Sequence, residues 1–94
     1  MKFSKEWSKL KKKYFTTIRK NLGYYEKGQI IEVHTPKQGF IAEIQEIRPI
    51  TKDDITEELA WKDADCTRRE LIDLLERWHG KDCDDFILIF LYKW

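Results

Sequence analysis

The segment Tyr14-Phe15-Thr16-Thr17-Ile18-Arg19 carries the side chains of this chain best suited to chemistry. It reads as a strand, and a strand sends successive side chains to opposite faces. With Ile18 turned to the core, Thr17 and Arg19 fall together on the other face. A guanidinium there can grip a phosphate or a base edge through paired N–H donors, while the hydroxyl fixes the same ligand with one hydrogen bond. Phe15 and Ile18 flank an Arg that an ordinary strand has no use for, so the pattern implies a pocket. The alternative is a hydroxyl lining the interior and an Arg held in a structural ion pair.

The charge around this segment points to an anionic partner. Residues 1–27 hold nine Lys and Arg side chains against Glu6 and Glu26, a net +7, which leaves −6 for the rest of a chain of net charge +1. Such asymmetry is a sign of a polyanion-facing surface. Phe3, Trp7, Leu10 and Tyr14 recur at helical spacing, which predicts a first helix docked through its apolar residues. Lys9, Lys11, Lys12 and Lys13 on its other sides, with Lys20 beyond it, are then placed to track phosphates. A solvated Lys-rich face is the plain alternative. Tyr24 or Tyr25 could stack on a base, one of the two packing inward.

Positioning these groups requires a small scaffold. Ninety-four residues, 41% hydrophobic and 37% charged, make one domain spanning 1–94 and exclude disorder. Phe15 to Lys20 and Gln29 to His34 read as strands, and Thr35-Pro36-Lys37-Gln38-Gly39 as a hairpin turn. Phe40, Ala42 and Ile44 share a face that Ile47 leaves, which predicts a bulge near Gln45 and Glu46. Thr51 introduces a helix over Asp53 to Ala60. A second helix, Arg68 to His79, begins at a Thr67/Glu70 capping box and ends at Gly80. The apolar run Phe86 to Tyr92 predicts a central strand covered on both faces. With no βαβ alternation, the fold class expected is α+β. Trp7, Trp61 and Trp78 read as packing residues.

Other chemistries are poorly supplied. Cys66 and Cys83 form no CxxC pair and are expected to be reduced thiols. His79 and Cys83, near Asp82, Asp84 and Asp85, lack a second Cys or His at zinc-ligand spacing, and His34 has no Ser or Cys partner in sequence range. No metal and no cofactor is expected. No run is long enough to span a membrane and the N-terminus is too charged for a signal peptide, so the expected location is cytoplasmic.

Thr17-Ile18-Arg19, "Tyr-x-Lys-Gly-x-x-Ile-x-Val" from Tyr25, the Gly39-Phe40 hairpin, "Ile-Thr-x-x-Leu-Ala" ending at Ala60, Arg69-Glu70-Leu71 and the final apolar strand together resemble the small ASCH domains of the PUA-like superfamily. The resemblance covers Phe3 to Tyr92. It implies a small, partly closed β-barrel with helices across its openings, a pocket between barrel and helices, and RNA or a modified nucleoside as partner. One bacterial branch is similar to an amidohydrolase acting on N4-acetylcytidine through a Lys, the Thr of Thr-Ile-Arg and a downstream Glu. That Thr falls on Thr17 and the following Arg on Arg19. The Lys position falls on Tyr14, with Lys13 one residue away, and the Glu position on Asp63 or, by a different placement of a one-residue insertion, on Asp65. If the chain is an enzyme, Lys13, Thr17 and Asp63 are the implied catalytic set. Tyr in place of Lys and a carboxylate one methylene shorter predict slow or absent hydrolysis. RNA or modified-nucleoside binding is therefore the leading expectation, with an amidohydrolase or a ribonuclease as alternatives and a protein-only interaction module as the blandest.

Overall fold

A computed structural model describes all 94 residues, Met1–Trp94. Its four strands are β1 (Tyr14–Lys20), β2 (Ile30–His34), β3 (Gly39–Ile50) and β4 (Phe86–Lys93), and its two α-helices are α1 (Glu57–Ala64) and α2 (Arg68–His79). The strands make one antiparallel sheet in the order β1-β4-β3-β2. The apolar C-terminal strand thus lies between two neighbours and is buried on both faces, as its composition predicts.

Parity divides the sheet between two cores. Phe15, Ile87, Ile89 and Leu91 face one way and pack with Val33, Ala42, Ile44, Phe3 and Leu10. Ile18, Phe86 and Leu88 face the other way and meet Ile55, Ala60, Ala64, Leu71 and Leu75. The β3–β4 register shifts between Ile44 and Glu46, at the bulge the sequence requires. Two helices cover the second face. α2 runs between the expected limits: the Thr67 hydroxyl accepts from the Glu70 N–H at 3.1 Å, and Gly80 terminates it at φ 92°. The other predicted helix is displaced along the chain. Thr51 caps only a short 3-10 turn, Lys52–Asp54, and Thr56 caps α1, which begins four residues later than expected and runs on past Ala60.

The expected N-terminal helix does not form. Only a 3-10 turn, Ser8–Lys11, is present. The reason is competition for backbone hydrogen bonds. His34 accepts from the Phe3 N–H and donates to the Met1 carbonyl, both at 2.8 Å, so the chain start pairs in parallel with the edge of β2. A helical nucleus, costly to form alone, loses to that ready-made edge. The apolar spacing still marks real contacts, since Phe3 and Leu10 are buried, but Tyr14 opens β1 and is 67% exposed. Glu6 fastens the same segment to the β2–β3 turn, accepting from the Thr35 hydroxyl, the Lys37 N–H at 2.8 Å and Gln38 Nε2 at 3.3 Å.

The sheet is not closed into a barrel. Between its edges runs the N-terminal segment: Lys2 bridges to His34 on one side, and its carbonyl accepts from Arg19 on β1 at 2.9 Å. No helix is long and apolar enough to cross a membrane. Cys66 and Cys83 are free thiols.

Ile89→Ala should destabilise the fold by about 2–5 kcal/mol in chemical denaturation, because it empties the centre of a fully covered strand. A second outcome concerns pH. The Thr35 hydroxyl and the Lys37 N–H hold the Glu6 carboxyl below its ordinary value of 4.5. A depressed acid contributes stability above its unfolded pKa and loses it as pH falls through the folded one. The midpoint difference between wild type and Glu6→Gln should therefore be constant at neutral pH and close on acidification.

Candidate functional site

α1 places the central acid. Ala60, Asp63 and Ala64 share its buried face at i, i+3 and i+4, and the two alanines let the helix approach β1 closely. Asp63 then reaches β1, where its Oδ1 accepts from the Thr16 hydroxyl at 2.9 Å. Lys9, in the N-terminal 3-10 turn, donates to the same oxygen at 3.1 Å. Both partners of this ion pair keep only 6% of their side-chain surface exposed. The Lys9 ammonium also lies 5.2 Å from the Phe3 ring centre and 5.9 Å from that of Trp7. Burial pushes Lys9 below the ordinary Lys value, and Arg19 adds to this, while Asp63 opposes both.

All of these groups except Thr16 and Ala60 line a cavity of about 280 Å³ along the free edge of β1. The N-terminal segment supplies Lys2, Phe3, Trp7 and Lys9; β1 supplies Thr17, Ile18 and Arg19; and α1 supplies Asp63. α2 completes the wall, ending with Trp78 and His79. Arg19 Nε donates to the Thr17 hydroxyl at 3.3 Å, its Nη2 binds the Lys2 carbonyl, and its guanidinium stacks 4.8 Å from the Phe3 ring centre. Burial lowers the Arg19 pKa from its usual value. Asp63 Oδ2 and Arg19 Nη1 bond to no protein atom, and neither is fully buried. With the Thr17 O–H and the remaining Lys9 protons, the cavity presents both donors and acceptors on apolar walls.

The residues expected from sequence separate into two groups. Thr17, Arg19 and Asp63 come together, joined by Lys9, which is buried and so withdrawn from any phosphate-tracking surface. Arg19 has no carboxylate within ion-pairing distance, so it is not the structural partner of Asp63. Asp65 is exposed, takes the left-handed conformation at φ 52° that ends α1, and accepts from Ser8 outside the cavity.

Lys13 lies beside the Tyr92 ring, at the end of β1 remote from Arg19, and lines no part of the cavity. Lys11, Lys12 and Lys20 are exposed, as is Tyr24 at 71%, whereas Tyr25 packs inward. Because Lys11 to Lys13 and Lys20 flank opposite ends of β1, a strand roughly 20 Å long, the basic residues form no continuous track. Trp61 and Trp78 are about half exposed rather than packed away, and Trp78 belongs to the cavity. No group of three or more His, Cys, Asp or Glu side chains could hold a metal ion.

Two residues of the site are misjudged or missed from sequence. Lys9 is assigned there to a phosphate-tracking surface; the signal of its burial is its place between Trp7 and Leu10. Thr16 shares the parity of Ile18 and so faces α1, and two adjacent hydroxyls in a strand buried on both sides are the trace it leaves.

No protein family, curated protein or solved structure matches this chain.

Asp63→Asn should cost about 3–5 kcal/mol, since it strands the Lys9 charge in a buried site, and Lys9→Met with Asp63→Asn should recover most of the loss. In wild type, the lowered Lys9 pKa means that the unfolded chain binds more protons than the folded one between the folded value and 10.5. Stability measured in urea should therefore rise with pH through that window, and the rise should vanish in the double mutant.

Proposed function

We propose that this protein binds a modified nucleoside in the cavity formed by Lys9, Thr17, Arg19 and Asp63. One observation carries the reading: the polar side chains of Lys9, Thr17, Arg19 and Asp63 converge in a space whose apolar walls include Phe3, Trp7, Ile18, Leu74 and Trp78. Ligand sites combine apolar, aromatic walls with a few placed polar groups, and about 280 Å³ suits a ligand the size of a base with part of its sugar. A flat heteroaromatic ring gains from stacking on the aromatic walls, and its edge needs both donors and acceptors. Asp63 Oδ2 accepts from an exocyclic amine; Thr17 and Arg19 donate to ring nitrogens or carbonyls. On this reading the fold is a PUA-like barrel, closed in part by the N-terminal segment lying between β1 and β2. The exposed Lys11, Lys12, Lys13, Lys20 and Tyr24 remain candidates for contacts to RNA beyond the bound base. The free thiols suit a reducing, cytoplasmic setting.

Lys9 favours a second reading, hydrolysis of an amide on the bound base. The resemblance to the ASCH amidohydrolases leaves the catalytic amine missing, with Tyr14 in its place and Lys13 nearby. In the folded chain an amine reaches the site from Lys9 instead. Its lowered pKa and its contact with Asp63 are properties of a group that moves protons. Lys9 and Asp63 would hold and activate the attacking water or the Thr17 hydroxyl, while Arg19 would stabilise negative charge developing on the acyl oxygen.

The test is calorimetric binding of cytidine and N4-acetylcytidine, with free cytidine followed by chromatography. Thr17→Val and Arg19→Gln should weaken binding and Lys13→Gln should not. Any turnover should fall by about 10²–10⁴ in Lys9→Gln. Absence of binding by both nucleosides would refute the reading; binding without turnover would refute the hydrolase alone.

A further inference from the structure

The cavity is electrically unbalanced, and the imbalance is local. Its lining contains three full cations, Lys2, Lys9 and Arg19, against the single carboxylate of Asp63, a net charge of +2. Asp63 is spent on Lys9. Arg19 is left mostly buried with no carboxylate within ion-pairing distance, although Asp63 acts on it through space; its Nε and Nη2 are satisfied by neutral oxygens and its Nη1 bonds to no protein atom. A desolvated guanidinium without a directly paired counter-charge is costly, and neutral acceptors do not repay its full hydration.

The same corner holds more positive charge. Lys20 follows Arg19 on β1 and is exposed, Lys2 is exposed on the neighbouring segment, and His79 ends α2 in the cavity wall with its ring against Phe86. Burial, then Lys20 and Arg19, hold the His79 imidazole below its ordinary pKa of 6.5. Glu6, the acid of the N-terminal segment, points away into the Thr35 turn, and Asp85 at the adjacent strand start is bonded to Asn21. No acid lies within ion-pairing distance of Lys2, Arg19 or Lys20.

We propose that the ligand is a nucleoside monophosphate, with its phosphate seated at the end of the cavity lined by Arg19, Lys2 and His79, with Lys20 close by. This rests on the nucleoside reading and deepens it. A phosphate monoester carries about −1.5 to −2 at neutral pH, which matches the cavity's excess charge. Its oxygens suit the open Nη1 of Arg19 and the flexible ammonium groups of Lys2 and Lys20. Lys9, compensated by Asp63 and flanked by Phe3 and Trp7, stays with the base. With a monophosphate bound, Arg19 serves the phosphate, and recognition of the base is left to Asp63, Thr17 and Lys9.

The experiment compares the calorimetric affinities of N4-acetylcytidine, its 5′-monophosphate, cytidine, cytidine 5′-monophosphate and inorganic phosphate. Measurements use the whole chain, its Arg19→Gln variant and the surface pair Lys2→Gln/Lys20→Gln. One charge-assisted contact implies that each monophosphate binds roughly 10- to 100-fold more tightly than its nucleoside. That preference should shrink with added salt, fall in the surface pair and disappear in Arg19→Gln, with the His79 ring resonances moving on addition of monophosphate only. Equal affinity for nucleoside and monophosphate overturns the phosphate seat and leaves the nucleoside reading intact. Failure of every nucleoside and nucleotide to bind overturns both. A preference that survives in Arg19→Gln and in the surface pair places the phosphate elsewhere and also overturns the proposal. The surface pair, which removes no buried contact, keeps the test decisive if Arg19→Gln folds poorly.

Discussion

A single oxygen, Oδ1 of Asp63, accepts from two otherwise separate parts of the chain: Lys9 of the N-terminal turn and Thr16 of β1. Three elements distant in sequence meet there, and the cavity wall exists because they do. Burying the pair costs hydration on both partners, so it contributes less to stability than to placement. What it enforces is position. An ammonium that must reach one oxygen between α1 and β1 fixes where residues 1–11 cross the sheet, and with them Phe3 and Trp7. Ala60 and Ala64 matter for the same reason, because a larger residue at either place would hold α1 too far from β1 for Asp63 to touch Thr16.

The two buried cations of the site illustrate how environment divides labour between similar charges. Lys9 has a carboxylate and two aromatic rings about it; Arg19 has a carbonyl, a hydroxyl and one ring. The first arrangement is closed on itself. The second is incomplete in charge though complete in packing, and a protein that keeps such a group has surrendered some folding free energy for it.

Much of this was legible in the sequence wherever a local rule governs. The capping box at Thr67, the stop at Gly80, the bulge at Gln45 and the central placement of Phe86 to Tyr92 follow from periodicity and turn chemistry, and the parity of Thr17 and Arg19 was enough to foresee a pocket. The failures share one cause. Residues 3–14 have helical spacing of apolar side chains, yet spacing reports only which side chains are buried, not which backbone partner is on offer. The β2 edge supplied that partner. With the helix gone, the meaning of its lysines changed: Lys9 turned inward, Lys13 moved out of reach, and the basic run lost its continuity. Thr56 rather than Thr51 starting α1 is the smaller case of two adequate caps in competition.

The pairing order of the sheet also governs how the chain acquires its structure in time. β4, which follows the other three strands along the chain, is the strand to which both β1 and β3 are bonded, with Tyr14 opposite Tyr92 and Glu43 opposite the same residue. Until it arrives, a growing chain has the local β2–β3 hairpin and nascent helices, but neither core has its middle layer. Each face of the sheet waits on alternate residues of one octapeptide. Assembly is therefore dominated by contacts of large sequence separation, which makes for slow, concerted folding and leaves apolar strands uncovered in the interval. For a chain emerging from the ribosome, nearly all of the native architecture is deferred until β4 has cleared the exit tunnel.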